Sequence, residues 1–207
     1  MKSHWERVYQ NCAIENLGWY EADPAPCLKL INRCNLSKDA TILHVGAGAT
    51  TLVDELLHAG YLNIIANDIS SSALKELQLR LSPSQSKRVQ WIVDDLTNPT
   101  ELNSLEQIDL WHDRAVLQFF MDATDQDAYF NLLRKLVRKD GYVIIASFNL
   151  DGAEKCSGLP VCRYDAAMLQ NKLDMEFQLV EAFDHTYVMP SGDTREYVYS
   201  LFIRKSE

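Results

Sequence analysis

The sequence predicts an α/β domain, a doubly wound and mostly parallel sheet of seven strands with an antiparallel pair at its C-terminal edge. Short β-rich apolar runs alternate with segments whose leucines recur at helical spacing, the pattern that covers both faces of a parallel sheet with helices. The first run passes through a glycine turn straight into such a segment. The last two runs have no helix between them, so they are expected to pair antiparallel.

"TILHV" (41–45) is long enough for a buried strand. Past the glycines, Leu52, Val53, Leu56 and Leu57 mark a helix; Thr51 with Asp54 resembles a capping box, and Gly60 suits the stop. "LNIIAND" (62–68) is the second strand and ends on an acid. Leu74, Leu77 and Leu81 mark the next helix, with Ser70 or Ser71 as its cap. "RVQWIV" (88–93) and "IDLWH" (108–112) are strands three and four. Thr124 with Asp127 opens a helix through Leu132, Leu133, Leu136 and Val137 to a stop at Gly141, before the fifth strand "YVIIASF" (142–148). A short helix around 165–173 precedes "EFQLVEAF" (176–183) and "EYVYSLFI" (196–203), which flank a Pro190/Gly192 loop.

No repeat, low-complexity tract or linker interrupts this series, and 207 residues suit one domain: a helical lid segment over 1–38 and a core over 39–207. A net charge of −9 weighs against a broad grip on nucleic acid or an anionic membrane. No apolar run approaches the roughly 18 residues that span a bilayer, and "MKSHWERVYQNC" lacks the apolar core of a secretion signal. Cysteines at 12, 27, 34, 156 and 162 form an odd, scattered set that suits free thiols in a reducing cytoplasm. Cys156 and Cys162 have no histidine pair at ligand spacing, so no metal site is expected.

Gly46 and Gly48, with Ala47 between them, stand where the first strand turns into its helix, so backbone can approach a ligand and the helix N-terminus presents free N–H groups. Asp68 ends the second strand, where a carboxylate can accept both hydroxyls of a ribose, with Ile69 beside it. Thr51 occupies the place of the third glycine that a pyrophosphate-binding turn wants, which favours a nucleoside without phosphates. In "VDDLT" (93–97), Asp94 and Asp95 follow the third strand. Asp95 can accept from an adenine amine while the Leu96 N–H donates to a ring nitrogen; solvated or capping acids are the plainer reading.

The stretches "HVGAGATTL", "ANDIS", "VDDL" and "DLWHDRAVLQFF" resemble class I S-adenosylmethionine-dependent methyltransferases, and the likeness runs from the first strand to the final hairpin. The resemblance implies a Rossmann-like core with S-adenosylmethionine as cofactor, bound by Gly46, Gly48, Asp68, Ile69, Asp95 and Leu96. It departs at His44, where the family usually carries an acid that helps hold the methionine part; His44 either does this through water or packs in the core.

The fourth strand delivers His112, Asp113 and Arg114 to the same crest. His112 is a candidate base, Arg114 a partner for a carboxylate of cofactor or substrate, and Asp113 a group that orients either. An internal Asp113–Arg114 pair is the bland alternative. Methyl transfer is a direct displacement that needs alignment and exclusion of water more than a triad.

The N-terminal stretch carries Trp5, Tyr9, Trp19 and Tyr20, whose faces attract cations such as a sulfonium. Trp5 and Trp19 are expected at the pocket and Tyr9 in ordinary packing. The stretch, with "WHDR", is similar to thiopurine-type small-molecule methyltransferases, while the glycine-turn region also resembles translation-factor lysine methyltransferases. The latter usually show an aspartate-lysine-glycine-threonine run where this chain has "HDRAVL". The methyl acceptor is thus expected to be a small molecule, with a thiol among the candidates, or else a protein lysine. A nicotinamide oxidoreductase is opposed by the missing third glycine, and a non-catalytic cofactor-binding module rests on His44 alone. Cys156, Cys162, Arg163 and Tyr164 are candidate contacts from "CSGLPVCRYD" (156–165), which otherwise serves as a crossover.

Overall fold

The computed structural model describes residues 1–206. Its strands are β1 (Thr41–Val45), β2 (Asn63–Asp68), β3 (Val89–Val93), β4 (Ile108–Arg114), β5 (Val137–Phe148), the two-residue pair β6 (Lys155–Cys156) and β7 (Leu159–Pro160), β8 (Phe177–Val188) and β9 (Thr194–Arg204). The helices are α1 (Lys2–Asn11), α2 (Ala25–Arg33), α3 (Leu52–His58), α4 (Ser71–Arg80), α5 (Pro83–Ser86), α6 (Ala123–Leu136) and α7 (Ala166–Leu173). Seven strands form one sheet in the order β3-β2-β1-β4-β5-β9-β8, parallel from β3 through β5 and antiparallel at β9 and β8. β6 and β7 make a separate small ribbon.

Alternation along the central strands divides the core. Ile42, Leu110, Ile144 and Leu201 face one layer, packed with Leu30 and Ile31 of α2, Leu56 of α3 and Leu77 of α4. Leu43, Trp111, Ile145 and Phe202 face the other, packed with Tyr129 and Leu133 of α6 and Leu169 of α7. Because successive side chains on a strand point to opposite faces, residues 42, 44, 110, 112 and 114 share the first layer's side while 111 and 113 share the second.

β1 pairs with β2 on one side and β4 on the other, so the chain reverses its direction of travel across the sheet between these neighbours. In an open α/β sheet the crevice outside the carboxyl ends of such strands is where a ligand fits.

Several local expectations need correction. Thr51 already has helical backbone angles and makes no side-chain cap; its hydroxyl donates 2.8 Å to the Glu21 carbonyl, and Asp54 pairs with Arg80. The capping box forms instead at Ser82 and Gln85 of α5. Ser70 caps α4 as expected, its hydroxyl accepting from Ala73 N–H at 3.2 Å. Gly60 takes φ +90° just beyond α3, the conformation a helix stop requires. α6 follows Asp122, not Thr124, and gives way directly to β5 at Val137, so Gly141 lies within a strand. Its added Cβ would stand 2.8 Å from the Arg138 carbonyl, which explains the glycine without any helix stop. β8 and β9 extend beyond the expected runs because they zip together from Phe177↔Arg204 to Val188↔Thr194.

Candidate functional site

Gly46 and Gly48 both adopt left-handed backbone, at φ +57° and +52°, which turns the chain sharply from β1 towards α3. What crowds each glycine is specific. A Cβ on Gly46 would lie 2.0 Å from Cγ2 of Val116, in the turn after β4. A Cβ on Gly48 would lie 2.4 Å from the Tyr9 hydroxyl. Gly46→Ala is therefore expected to destabilise the fold by about 2–4 kcal/mol through strain and overpacking, with Val116→Ala restoring part of the loss in a double-mutant cycle of urea midpoints.

Over the crest lies a cavity continuous with solvent. Trp5, Trp19, Gly46, Asp68, Ile69, Asp94, Asp95, Leu96 and Arg114 line it, as do Tyr9, Asn67, Phe119 and Cys156. A second, smaller cavity adjoins it and is lined by His44, Ala47, Gly48, His112 and Glu21. Tyr9, Trp19, Gly46 and Arg114 border both.

Asp68 is buried, and its two oxygens accept from Gly48 N–H and Ser70 N–H, each at 2.8 Å. Burial pushes its carboxyl up to about 6 despite those bonds. Asp94 turns its carboxylate into the following loop, accepting from the N–H groups of Asp95, Thr100 and Leu102 and from the Thr100 hydroxyl. Burial works to raise that carboxyl, but those bonds hold it below its ordinary value. Asp94 is thus a loop organiser. Asp95 accepts from the Thr97 N–H and hydroxyl through Oδ1, and among the described residues Oδ2 has no hydrogen-bond partner. The Leu96 N–H is not consumed by that turn's backbone bonds.

β4 splits its three candidates by face. Asp113 lines neither cavity: its oxygens accept from Val116 N–H at 2.9 Å, Leu117 N–H at 3.0 Å and the Tyr129 hydroxyl at 2.7 Å. It is fully buried on the α6 side and fixes the turn after β4, so its candidacy as a catalytic group is corrected to a structural one. The Asp113–Arg114 pair does not form, because adjacent strand residues point apart. Arg114 Nε instead meets Glu21 at 2.9 Å, Nη1 donates to the Trp19 carbonyl at 3.0 Å, and the guanidinium lies 5.0 Å from the ring centres of Tyr187 and Tyr197. His112 is completely buried and packs edge-on against His44 with ring centres 4.5 Å apart, lining the second cavity and not the first. Burial, then the neighbouring His44 and Arg114, holds its ring far below the usual histidine range, so it is a poor base at neutral pH.

α1 covers the crest. Glu6 ties it to the N-terminus of α4, accepting from Ser71 N–H at 2.7 Å and Ser72 N–H at 3.2 Å. Burial alone would raise that carboxyl; the serine hydrogen bonds outweigh it and bring it down to about 2. Trp5 packs edge-on with Trp19 and Phe119, and Trp19 Nε1 donates 3.2 Å to the Tyr9 hydroxyl. Tyr9, expected in plain packing, stands between the two cavities. Sequence reasoning also passed over Glu21, whose role appears only once the N-terminal segment is folded over β4. From the 156–165 stretch Cys156 alone borders the first cavity; Arg163 donates to the Leu150 carbonyl, Cys162 Sγ approaches Met121, and Tyr164 is in the opposite core layer. The tip of that ribbon reaches α1, where His4 Nε2 is 3.3 Å from the Ser157 hydroxyl. Among the described residues all five cysteines are free, and no three His, Cys, Asp or Glu side chains converge as a metal site would require. No helix among them is long and apolar enough to cross a membrane.

A model of the methyltransferase domain family matches residues 36–199. EEF1A lysine methyltransferase 2 of Danio rerio is 25% identical over 161 residues, covering 72% of this chain and 68% of that one. The solved S-adenosylmethionine-dependent methyltransferase of Anabaena variabilis superposes with a TM-score of 0.77 at 12% identity, covering 99% and 93% of the two chains. The 1,6-didemethyltoxoflavin-N1-methyltransferase of Burkholderia thailandensis, solved with 1,6-didemethyltoxoflavin and S-adenosylhomocysteine, does so with a TM-score of 0.67 at 16% identity, covering 96% and 81%. With its sheet order, crest cavity and matched family model, the chain belongs to the methyltransferase domain family, in the class I S-adenosylmethionine-dependent group of enzymes.

Proposed function

We propose that this protein transfers a methyl group from S-adenosylmethionine to a nucleophile on a small molecule, with a thiol as the leading candidate. The observation that carries the reading is the convergence on one cavity of Asp68 from β2, the free Asp95 oxygen and Leu96 N–H after β3, and Gly46 after β1. Such a set fits an adenosine: the Asp68 carboxylate for ribose hydroxyls, Asp95 and Leu96 for the adenine edge, and a close-approaching backbone for the tail. Bound there, the cofactor supplies a methyl group already activated on a sulfonium.

The chain's own task is then alignment and exclusion of water. Trp5, Trp19, Tyr9 and Phe119 form an aromatic cover whose ring faces suit a positive sulfur. Arg114 is held rigidly by Glu21 and the tyrosine rings at the border of both cavities. With His112 sunk in the second cavity and Asp113 turned away, no side chain on β4 is placed as a strong base. That supports an acceptor that is already a good nucleophile, such as a thiolate or a neutral amine.

A protein lysine acceptor is the second reading, favoured by the 25% identity to EEF1A lysine methyltransferase 2. Calorimetry with S-adenosylmethionine, S-adenosylhomocysteine and NAD in parallel tests the cofactor. Binding of the two adenosyl compounds and not of NAD is expected; NAD alone binding, or no binding at all, overturns the reading. Isotopically labelled cofactor given to an extract's small-molecule fraction and to its protein fraction separates the two acceptors.

A further inference from the structure

Resting on that cofactor reading, we propose that Asn67 is a positioning residue for the adenine end of the cofactor. Its side-chain amide holds the chain after β3 so that Asp95 and Leu96 can read the base. β2 and β3 run parallel and in register from Ile64↔Val89 to Asp68↔Val93. In a parallel ladder each residue bonds to the two neighbours of its partner, and Asp94 N–H accordingly donates to the Asp68 carbonyl at 3.1 Å. Continuing that ladder would send Ser70 N–H to the Asp94 carbonyl and Leu96 N–H to the Ser70 carbonyl. Neither bond forms among the described residues. Ser70 N–H is taken by Asp68 Oδ1 at 2.8 Å, and the Ser70 carbonyl accepts from Leu74 N–H in the first turn of α4. The acid of β2 thus ends the ladder, and the same diversion leaves Leu96 N–H without a sheet partner.

Asn67 supplies what the backbone withdraws. It is 1% exposed, and its Nδ2 donates to the carbonyls of Ile92 and Asp94, each at 3.2 Å. Both partners are carbonyls, so only the NH2 end of the amide can serve them. The Asn67 carbonyl accepts from Ala47 N–H at 2.8 Å, in the glycine turn. One buried residue therefore joins three elements: the turn after β1, the acid beside it on β2 and the first residue after β3. Asp95 and Leu96 come next in the chain, and both line the crest cavity. An apolar side chain in place of Asn67 would leave the Asp94 carbonyl unpaired at a strand end and release the segment that carries them. The bond thus acts through Asp95 and Leu96, at the base and not at the sugar.

The test is calorimetry with S-adenosylhomocysteine and S-inosylhomocysteine. The inosyl base presents an acceptor where the adenine amine donates, and an N–H where the adenine ring nitrogen accepts. The unaltered protein is expected to prefer the adenosyl compound about 100-fold, and Asn67→Ala to cut that preference to about tenfold or less. The 2′-deoxy form of S-adenosylhomocysteine is the control: its penalty, set at Asp68, should stay within about twofold of the parent's. A merely structural role would lower all affinities together and leave both ratios where they were. Unchanged base preference in folded Asn67→Ala, or a loss of both ratios together, overturns the proposal. Asn67→Ser keeps one donor in a smaller side chain and is read if Asn67→Ala does not fold; a reduced base preference is expected there, and the parental preference overturns the proposal. Equal binding of the two bases by the unaltered protein overturns it as well. Failure of the unaltered protein to bind S-adenosylhomocysteine at all overturns the underlying cofactor reading, an outcome distinct from a changed ratio.

Discussion

Asp68→Ala is expected to lose about 1–3 kcal/mol of affinity for S-adenosylhomocysteine, the scale for deleting hydrogen bonds to a charged acceptor. Two backbone N–H groups already use this carboxylate, so the titration belongs on protein whose near-ultraviolet circular dichroism matches the parent. Unchanged binding by such material would remove the ribose assignment. The same residue gives affinity a pH dependence. Its carboxyl is raised to about 6 by burial, so the folded chain holds the proton more tightly than the unfolded chain does. Ionising it within the fold costs stability above that value, and the cost disappears below the unfolded value near 3.8. Ribose hydroxyls donate best to the ionised form, so binding should weaken as pH falls from about 7 to 5. A flat calorimetric profile over that window would contradict this.

Asp113→Ala should act on stability and leave the site's chemistry alone. Three donors, the N–H groups of Val116 and Leu117 and the Tyr129 hydroxyl, lose their shared acceptor in a fully buried place. A buried donor left without its acceptor costs about 1–3 kcal/mol, so three together make the loss large. A large drop in the urea midpoint is expected, with near-parental affinity for S-adenosylhomocysteine in the fraction that remains folded. Full stability with lost turnover would return Asp113 to a catalytic role.

The contrast between Asp113 and Arg114 shows what the sequence makes legible. The strand-helix alternation, the glycine turn and the acid after β2 are local patterns, and they place the crest and the lining residues Gly46, Asp68 and Asp95. Local reading stops at β4, because adjacent residues face opposite layers and the sequence does not say which layer holds the ligand. Glu21 and Tyr9 acquire their positions only when the N-terminal segment folds over a sheet whose strands are far away in sequence, as the Arg114–Glu21 contact illustrates. Thr51, a cap by local pattern, already has helical backbone angles, and its hydroxyl donates to the distant Glu21 carbonyl.

The fastening of α1 bears on how the crest is roofed. The helix packs through Trp5 and Tyr9 on Trp19 and is clasped by Glu6 to the end of α4. That clasp involves no strand, so every rung of the sheet is independent of it. The crest thus has its floor in the sheet and its roof in an element fastened separately from it.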